Sequence, residues 1–274
     1  MGKNVNPVFK VVSYILVAIF LFVYLFPLFY IVNTSLKSAQ DYLLHPTSLT
    51  TTFSFSNFAV AWQKANFGTY IWNSILYTTV CTLTSLFMSV MIAFPISRKY
   101  VPASKFLHYL FLCGLFLPSG MIPLFQLILK VGLYNTKIGY MLVMTGVNAT
   151  SVFFFTGYFR GIPKDLDEAA AIDGCGYLRY VVSTVIPLSK PAIISMGMLS
   201  MIGVWNDIVS STIYLTSESN YNITRGMFVF QGQYSNDWTL TAAALLIVAA
   251  PLILIYLFGQ RYIVDGVMAG SVKG

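Results

Sequence analysis

Six runs of mainly apolar residues, at about 11–32, 73–97, 106–129, 138–158, 192–215 and 240–260, leave this chain little choice of architecture. A helix that crosses the hydrocarbon core of a bilayer needs roughly 20 such residues. The runs are unbroken, whereas a lipid-facing barrel strand alternates at every second residue, so helices are expected. Charge is too scarce to coat a soluble fold: 9% of the residues are Asp, Glu, Lys or Arg, against roughly 25% in soluble domains. The expectation is an all-α membrane protein of six transmembrane helices, forming one membrane domain over residues 1–274. The first run is too long for the apolar core of a cleaved signal and lacks a small-residue cleavage site, so it reads as a retained span.

The net charge of +7 does not point to nucleic acid, because the basic residues sit at span ends rather than in a stripe. With the N-terminus inside, Lys3, Lys10, Arg98, Lys99, Lys105, Arg160, Lys164, Arg179, Lys190, Arg261 and Lys273 fall on the inner side. Lys37, Lys64, Lys130, Lys137 and Arg225 fall on the outer side. That excess predicts both termini and the segment 160–191 in the cytoplasm. Cys81, Cys113 and Cys175 are far apart, as are His45 and His108, which gives no support to a disulfide framework or a metal site. Pro118 and Pro123 fall inside the third run, where a kink or local unwinding is expected. Such a break would suit either a substrate path or simple packing.

Residues 160–191 form a polar island between two apolar runs. Pro163 and the acidic residues Asp165, Asp167 and Glu168 carry helix-start chemistry. Ala169, Ala170 and Ala171 propagate a helix with a small face. Gly174 and Gly176 permit a turn at positive φ. Tyr177 to Val185 can form a second helix, ended by Pro187 and Pro191. A hairpin of this kind suits a lever that fits a partner's groove, and equally an inert interfacial loop.

The pattern Glu168-Ala169-Ala170, Gly174 and Pro187 resembles the EAA loop of ABC-importer permeases, with Thr184 at the usual Ile and Ile186 at the usual Leu. Gly157 to Pro163, Trp205-Asn206-Asp207, Gln231 to Tyr234 with Asp237-Trp238, and the tail from Gln260 to Gly274 are similar to the smaller permease subunit of the maltose-type group. The resemblance implies one of two membrane subunits, paired with a second homologous permease, two ATPases and an extracytoplasmic solute-binding protein in a bacterial plasma membrane. It implies an oligosaccharide or other sugar as solute. Glu168, Ala169, Ala170, Gly174 and Pro187 would form the ATPase-coupling loop, and Gly270 to Gly274 would also reach the ATPases. ATP and Mg would be bound by the partner ATPase, with no cofactor and no catalytic residue in this chain. In agreement, no G-x-x-x-x-G-K-[ST] run occurs, so the chain has no P-loop.

An ionisable residue inside a span is a functional candidate. Asp207 is expected about 6 Å outward of the centre of the fifth span, near Gly203, at the helical rise of about 1.5 Å per residue. With Asn206 and Trp205 it offers the groups that bind sugar hydroxyls and ring faces; an interhelical hydrogen bond would suit Asp207 as well. Asn73, Gln126 and Asn148 are further polar span positions, each suited to interhelical hydrogen bonding. Two rival readings are the same importer for a non-sugar solute and an ion-coupled carrier acting alone. An anionic solute would want converging Arg or Lys in the spans, and none lies at their centres. A lone carrier would need its own ion site, for which Asp207 is the one candidate carboxylate.

Overall fold

The computed structural model describes residues 7–50, 53–118, 120–230 and 237–271, and among them every regular element is helical. In chain order these are α1 (Pro7–Ser35), α2 (Ala39–Leu44), α3 (Ser56–Lys64), α4 (Phe67–Arg98), α5 (Ser104–Gly114), α6 (Met121–Lys130) and α7 (Lys137–Met144). They are followed by α8 (Ala149–Arg160), α9 (Asp165–Ile172), α10 (Tyr177–Leu188), α11 (Lys190–Trp205), α12 (Val209–Tyr214) and α13 (Trp238–Ser271), with short helical turns at Glu218–Asn220, Ile223–Gly226 and Met227–Phe230 between the last two. Among the described residues three helices are long and apolar enough to cross a membrane, or up to five spans by length and composition if each of two bent pairs counts as one. The bent pairs are α7 with α8, at 48°, and α10 with α11, at 85°.

Two compact units are resolved: Met1–Gly68 with Gly226–Ala250, and Thr69–Arg225 with Pro251–Gly274. In the first, α1 is mainly apolar on all sides and, apart from the half-buried Ser13, exposed from Val8 to Phe29, the pattern of a helix whose solvent is lipid. The polar segment that follows α1 is tied down by buried amides. Asn57 donates to the carbonyls of Ser35 and Lys37 at 2.8 and 2.7 Å. Asn33 donates to the Ser48 carbonyl and accepts from the Thr50 amide, both at 2.9 Å.

The second unit is organised around α4, which carries a packed cluster toward each end. Phe94, Phe155, Phe159, Tyr180, Val181 and Val185 join its last turns to α8 and α10. Tyr77, Cys81, Ile128, Tyr140, Val204 and Tyr214 join its first half to α6, α7, α11 and α12. In lipid such clusters stabilise by close packing rather than by leaving water.

Three expected spans are interrupted. The third, 106–129, is two helices separated by residues 115–120, around Pro118. The fourth, 138–158, pauses at 145–148, where Asn148 caps the resumed helix by accepting from the Thr150 amide at 2.9 Å. The fifth, 192–215, ends as a helix at Trp205, and α12 starts again at Val209. Pro27, Pro95 and Pro251, by contrast, lie within helices that continue through them. Residues 231–236 and 272–274, which carry part of the resemblance, lie outside the described residues.

Candidate functional site

The hairpin is built from α9 and α10. Helix α9 begins at Asp165, later than the expected start at Pro163, with Lys164 as its cap residue. Asp165, Asp167 and Glu168 occupy its first turn, where carboxylates complement the partial positive charge of the helix N-terminus. Gly174 makes the turn at φ +66°, a left-handed conformation that costs other residues roughly 1–2 kcal/mol. Gly176 does not share that role: its φ is −64°, an extended cap residue for α10. In α10 the backbone widens into a π-helical turn over Val181–Val185, and the Ile186 amide reaches back to the Val181 carbonyl. Pro187 explains the widening, because its ring would clash with the carbonyl four residues back. The chain then turns by 85° at Ser189 into α11.

One side of α9 is anchored. The Asp167 carboxylate accepts from the phenols of Tyr180 at 2.6 Å and Tyr100 at 2.8 Å. Arg98, in the last turn of α4, places Nε 2.8 Å from Asp167 Oδ2 and Nη2 3.3 Å from Oδ1. The Nε contact lies off the N–H axis, so it acts as charge attraction rather than as a linear hydrogen bond. Arg98 Nη1 donates to the Ile162 carbonyl at 2.9 Å, and its guanidinium lies 5.5 Å from the Phe94 ring centre. Burial, followed by the bond to Asp167, pushes the Tyr100 phenol up to about 12 and the Tyr180 phenol higher still. Ala170 and Cys175 pack on the neighbouring aromatic cluster. A cleft of about 440 Å³ opens beside these groups, lined by Tyr100, Glu168, Ala171, Cys175 and Tyr177 among others.

The other side of α9 is bare. Leu166, Glu168, Ala169 and Ile172 are exposed at helical spacing, Ile172 at 87%. Leu178 and Val182 on α10 are exposed as well, as are Gly174 and Pro187. Of the five sequence-identified hairpin residues, Glu168, Ala169 and Ala170 lie on α9, Gly174 at the turn after it and Pro187 near the end of α10, and all but the part-buried Ala170 are accessible. Ile172 and the Arg98–Tyr100–Tyr180 anchor were missed. Arg98 registered only as a topology charge, since its partner lies 69 residues further on.

A second site lies among the interrupted spans. A cavity of about 380 Å³ is lined by Ser85 of α4, by Met144, Gly146 and Asn148 at the break before α8, by Thr150 and Ser151 in the first turn of α8, and by Met196, Leu199, Ser200, Gly203 and Val204 of α11. Of the five proposed substrate-path residues, only Asn148 faces it. Asp207, expected inside a continuous span helix, lies instead in the break before α12 and caps the first amides of that helix. Its carboxylate accepts from the amides of Ser210 at 3.1 Å and Ser211 at 2.8 Å and from the Tyr140 hydroxyl at 2.9 Å. Trp205 is buried, and its carbonyl accepts from Thr224 at 2.6 Å. Asn206 ends α11 and is exposed. Asn73, fully buried, donates to the carbonyls of Ser219 and Tyr221 and accepts from Lys137. Gln126 is exposed rather than engaged between helices. Ser85, Ser151 and Ser200 had no sequence signal beyond being small hydroxyl residues in apolar runs.

Spans broken around a polar cavity, joined to a hairpin with one anchored and one bare side, define a multi-pass membrane transport component. The chain belongs to the family of binding-protein-dependent transport system inner membrane components, whose model matches residues 1–268. It is a permease subunit of an ABC importer, the membrane part and not the ATP-hydrolysing part. Among its relatives, the probable ABC transporter permease protein YurM of Bacillus subtilis is 32% identical over 93% of this chain and 87% of that protein. The melibiose/raffinose/stachyose import permease protein MelC of the same organism is 30% identical over 95% of each. A solved bacterial ABC transporter involved in import of the acidic polysaccharide alginate contains a chain of the same fold, with a TM-score of 0.86 at 23% identity, covering 96% of this chain and 99% of that one.

Proposed function

We propose that this chain is a six-span permease that pairs with a second, homologous permease to form the path for a sugar or oligosaccharide. A solute-binding protein delivers the solute from outside, and two ATPases drive the cycle from the cytoplasm. The 160–191 hairpin and both termini face the cytoplasm, in keeping with the excess of basic residues on that side. The observation that carries this reading is the two-sided α9. Leu166, Ala169 and Ile172 present small and apolar groups beside the exposed carboxylates of Asp165 and Glu168, on a hairpin whose other side is already held. A helix of that kind suits a groove on an ATPase. ATP and Mg then belong to the partner.

The solute class rests on the second cavity and on the relatives. No basic or acidic side chain is among the residues that line the cavity, while Ser85, Asn148, Thr150, Ser151 and Ser200 offer hydroxyl and amide groups. Such a lining suits a neutral, hydroxyl-rich solute. MelC, which shares 30% identity, is a melibiose, raffinose and stachyose import permease.

The test is purification of the tagged chain from its native membrane with mild crosslinking. A P-loop ATPase and a second permease should accompany it. Gly174→Asp should leave the chain inserted in the membrane and remove the ATPase from the complex, because the substitution strains the turn and adds charge at the docking tip. Purification of the wild-type chain alone, or normal ATPase recovery and uptake with the Asp variant, would sink the docking reading.

A further inference from the structure

We propose that Asp167 and Arg98 form the link through which movement of the hairpin reaches α4 and the polar cavity, with Asp167 acting as a positioning residue. The inference rests on the docking reading above. A helix that follows an ATPase must pass its displacement into the spans by some contact. Helix α9 contributes no fully buried side chain, so packing alone does not hold it. Its inward contacts are Ala170 against the aromatic cluster and the Asp167 carboxylate. That carboxylate gathers donors from three separate segments: Arg98 in α4, Tyr100 just after it, and Tyr180 in α10.

The chain is shaped around this contact. Lys99 adopts φ +60°, a left-handed conformation that costs a non-glycine residue roughly 1–2 kcal/mol. The Tyr100 amide closes that turn on the Pro95 carbonyl at 3.1 Å, bringing the Tyr100 phenol to Asp167. Arg98 holds a second point on the hairpin, the Ile162 carbonyl just before α9. Its side chain is 2% exposed and that of Asp167 is 11% exposed. A buried ion pair is a poor way to gain stability, since apolar replacements of similar volume are often as stable or more so. It is a good way to hold two bodies through a change of angle, because charge attraction falls slowly with distance whereas packing contacts lose roughly a quarter to a half of their attraction across a gap of about an ångström.

Helix α4 is suited to carry the movement. It runs unbroken from Phe67 to Arg98, whereas the fourth and fifth spans are interrupted. Ser85, on the cavity wall, lies about 20 Å along the helix from Arg98 at a rise of about 1.5 Å per residue. Farther along, Asn73 and Ser74 grip the 219–223 segment: Asn73 donates to the Ser219 and Tyr221 carbonyls, and Ser74 Oγ accepts from the Ile223 amide at 2.7 Å. One rigid element therefore touches the hairpin anchor, the cavity and the segment beyond it.

The experiment uses the complete transporter purified from its native membrane and placed in lipid nanodiscs. Ser85→Cys is introduced with Cys81, Cys113 and Cys175 replaced by Ser. Its rate of labelling by N-ethylmaleimide is read with and without a non-hydrolysable ATP analogue. The analogue should change the rate when the pair is intact. Asp167→Asn should reduce that response about ten-fold, within the range typical of coupling between distant sites, while ATPase subunits still co-purify. Exchange of the pair, Asp167→Arg with Arg98→Asp, should restore part of the response, which a merely structural role would not do. If the exchanged pair does not assemble, Arg98→Lys decides: a retained response supports the link, and a loss equal to that of Asp167→Asn overturns it. An unchanged response in Asp167→Asn overturns the link as well. The docking reading fails by a separate result, when Gly174→Asp retains both ATPase and response.

Discussion

Asp167 and Glu168 are neighbours in sequence with different surroundings on α9. Asp167 meets a guanidinium and two phenols, while Glu168 is exposed at the rim of the hairpin cleft. Helical geometry explains the contrast, because successive residues are turned by about 100° around the axis. The phenols also set a pH window. Tyr100 titrates near 10.0 when free and near 12 in the fold, so the neutral donor is favoured by the folded state. Its contribution is fully present below about pH 10 and is lost as pH rises toward about 12. Thermal stability of the purified protein should therefore show no Tyr100-dependent change between about pH 6 and 9, and wild type and Tyr100→Phe should converge as pH approaches about 12. Asp207 is another residue whose meaning changed with its surroundings. Its carboxylate is used by two amides and Tyr140, so Tyr140→Phe should destabilise the protein by about 1–3 kcal/mol. Uptake kinetics should show little change in KM. A large rise in KM would return Asp207 to the solute path.

Helices α7, α8, α11 and α12 illustrate how spans are broken without leaving bare backbone in lipid. Irregular backbone survives at such depth only where protein or a water-filled cavity satisfies it. Asn148 caps the start of α8, and Asp207 caps the start of α12. At the other end of α12, Arg225 donates to the carbonyls of Ser211, Thr212 and Leu215 and lies 3.9 Å from the Tyr221 ring centre. A helix of six residues is too short to persist alone, so these two charged caps hold it. Arg225→Ala should release those carbonyls and raise amide hydrogen exchange across Val209–Tyr214, with the Ala149–Arg160 helix unaffected. Equal protection in both proteins would remove Arg225 from this role. The cavity beside these breaks also makes a prediction. Gly203 lies on its wall, and a Cβ there meets nothing within 4 Å. Gly203→Trp should fill the space and block uptake while the ATPase still co-purifies; normal uptake would take the solute path elsewhere.

At the scale of the whole molecule, the membrane environment was legible from composition and from the six apolar runs, because lipid leaves a hydrophobic chain few ways to satisfy its backbone. The α9–α10 hairpin was legible too, since acidic first turn, alanine run, glycine and proline are local signals whose physics acts within a few residues. Interruptions were only partly legible. Pro118 announces the pause at 115–120, whereas Gly146 and Asn148 near 145–148, and Asn206 and Asp207 near 206–208, are weaker signals that do not by themselves end a helix in a long apolar run. Those pauses are stabilised by partners far along the chain, such as Tyr140 for Asp207, 67 residues away. The same holds for the anchor of the hairpin: Arg98 and Asp167 meet only when α4 and α9 are packed together. By itself, then, the sequence determined a helical membrane protein with a polar helical hairpin, because those properties follow from local chemistry and from solvent. Which polar residues line a cavity, which serve as caps, and which carboxylate faces inward were decided by tertiary structure, because each depends on the neighbour that folding brings to it.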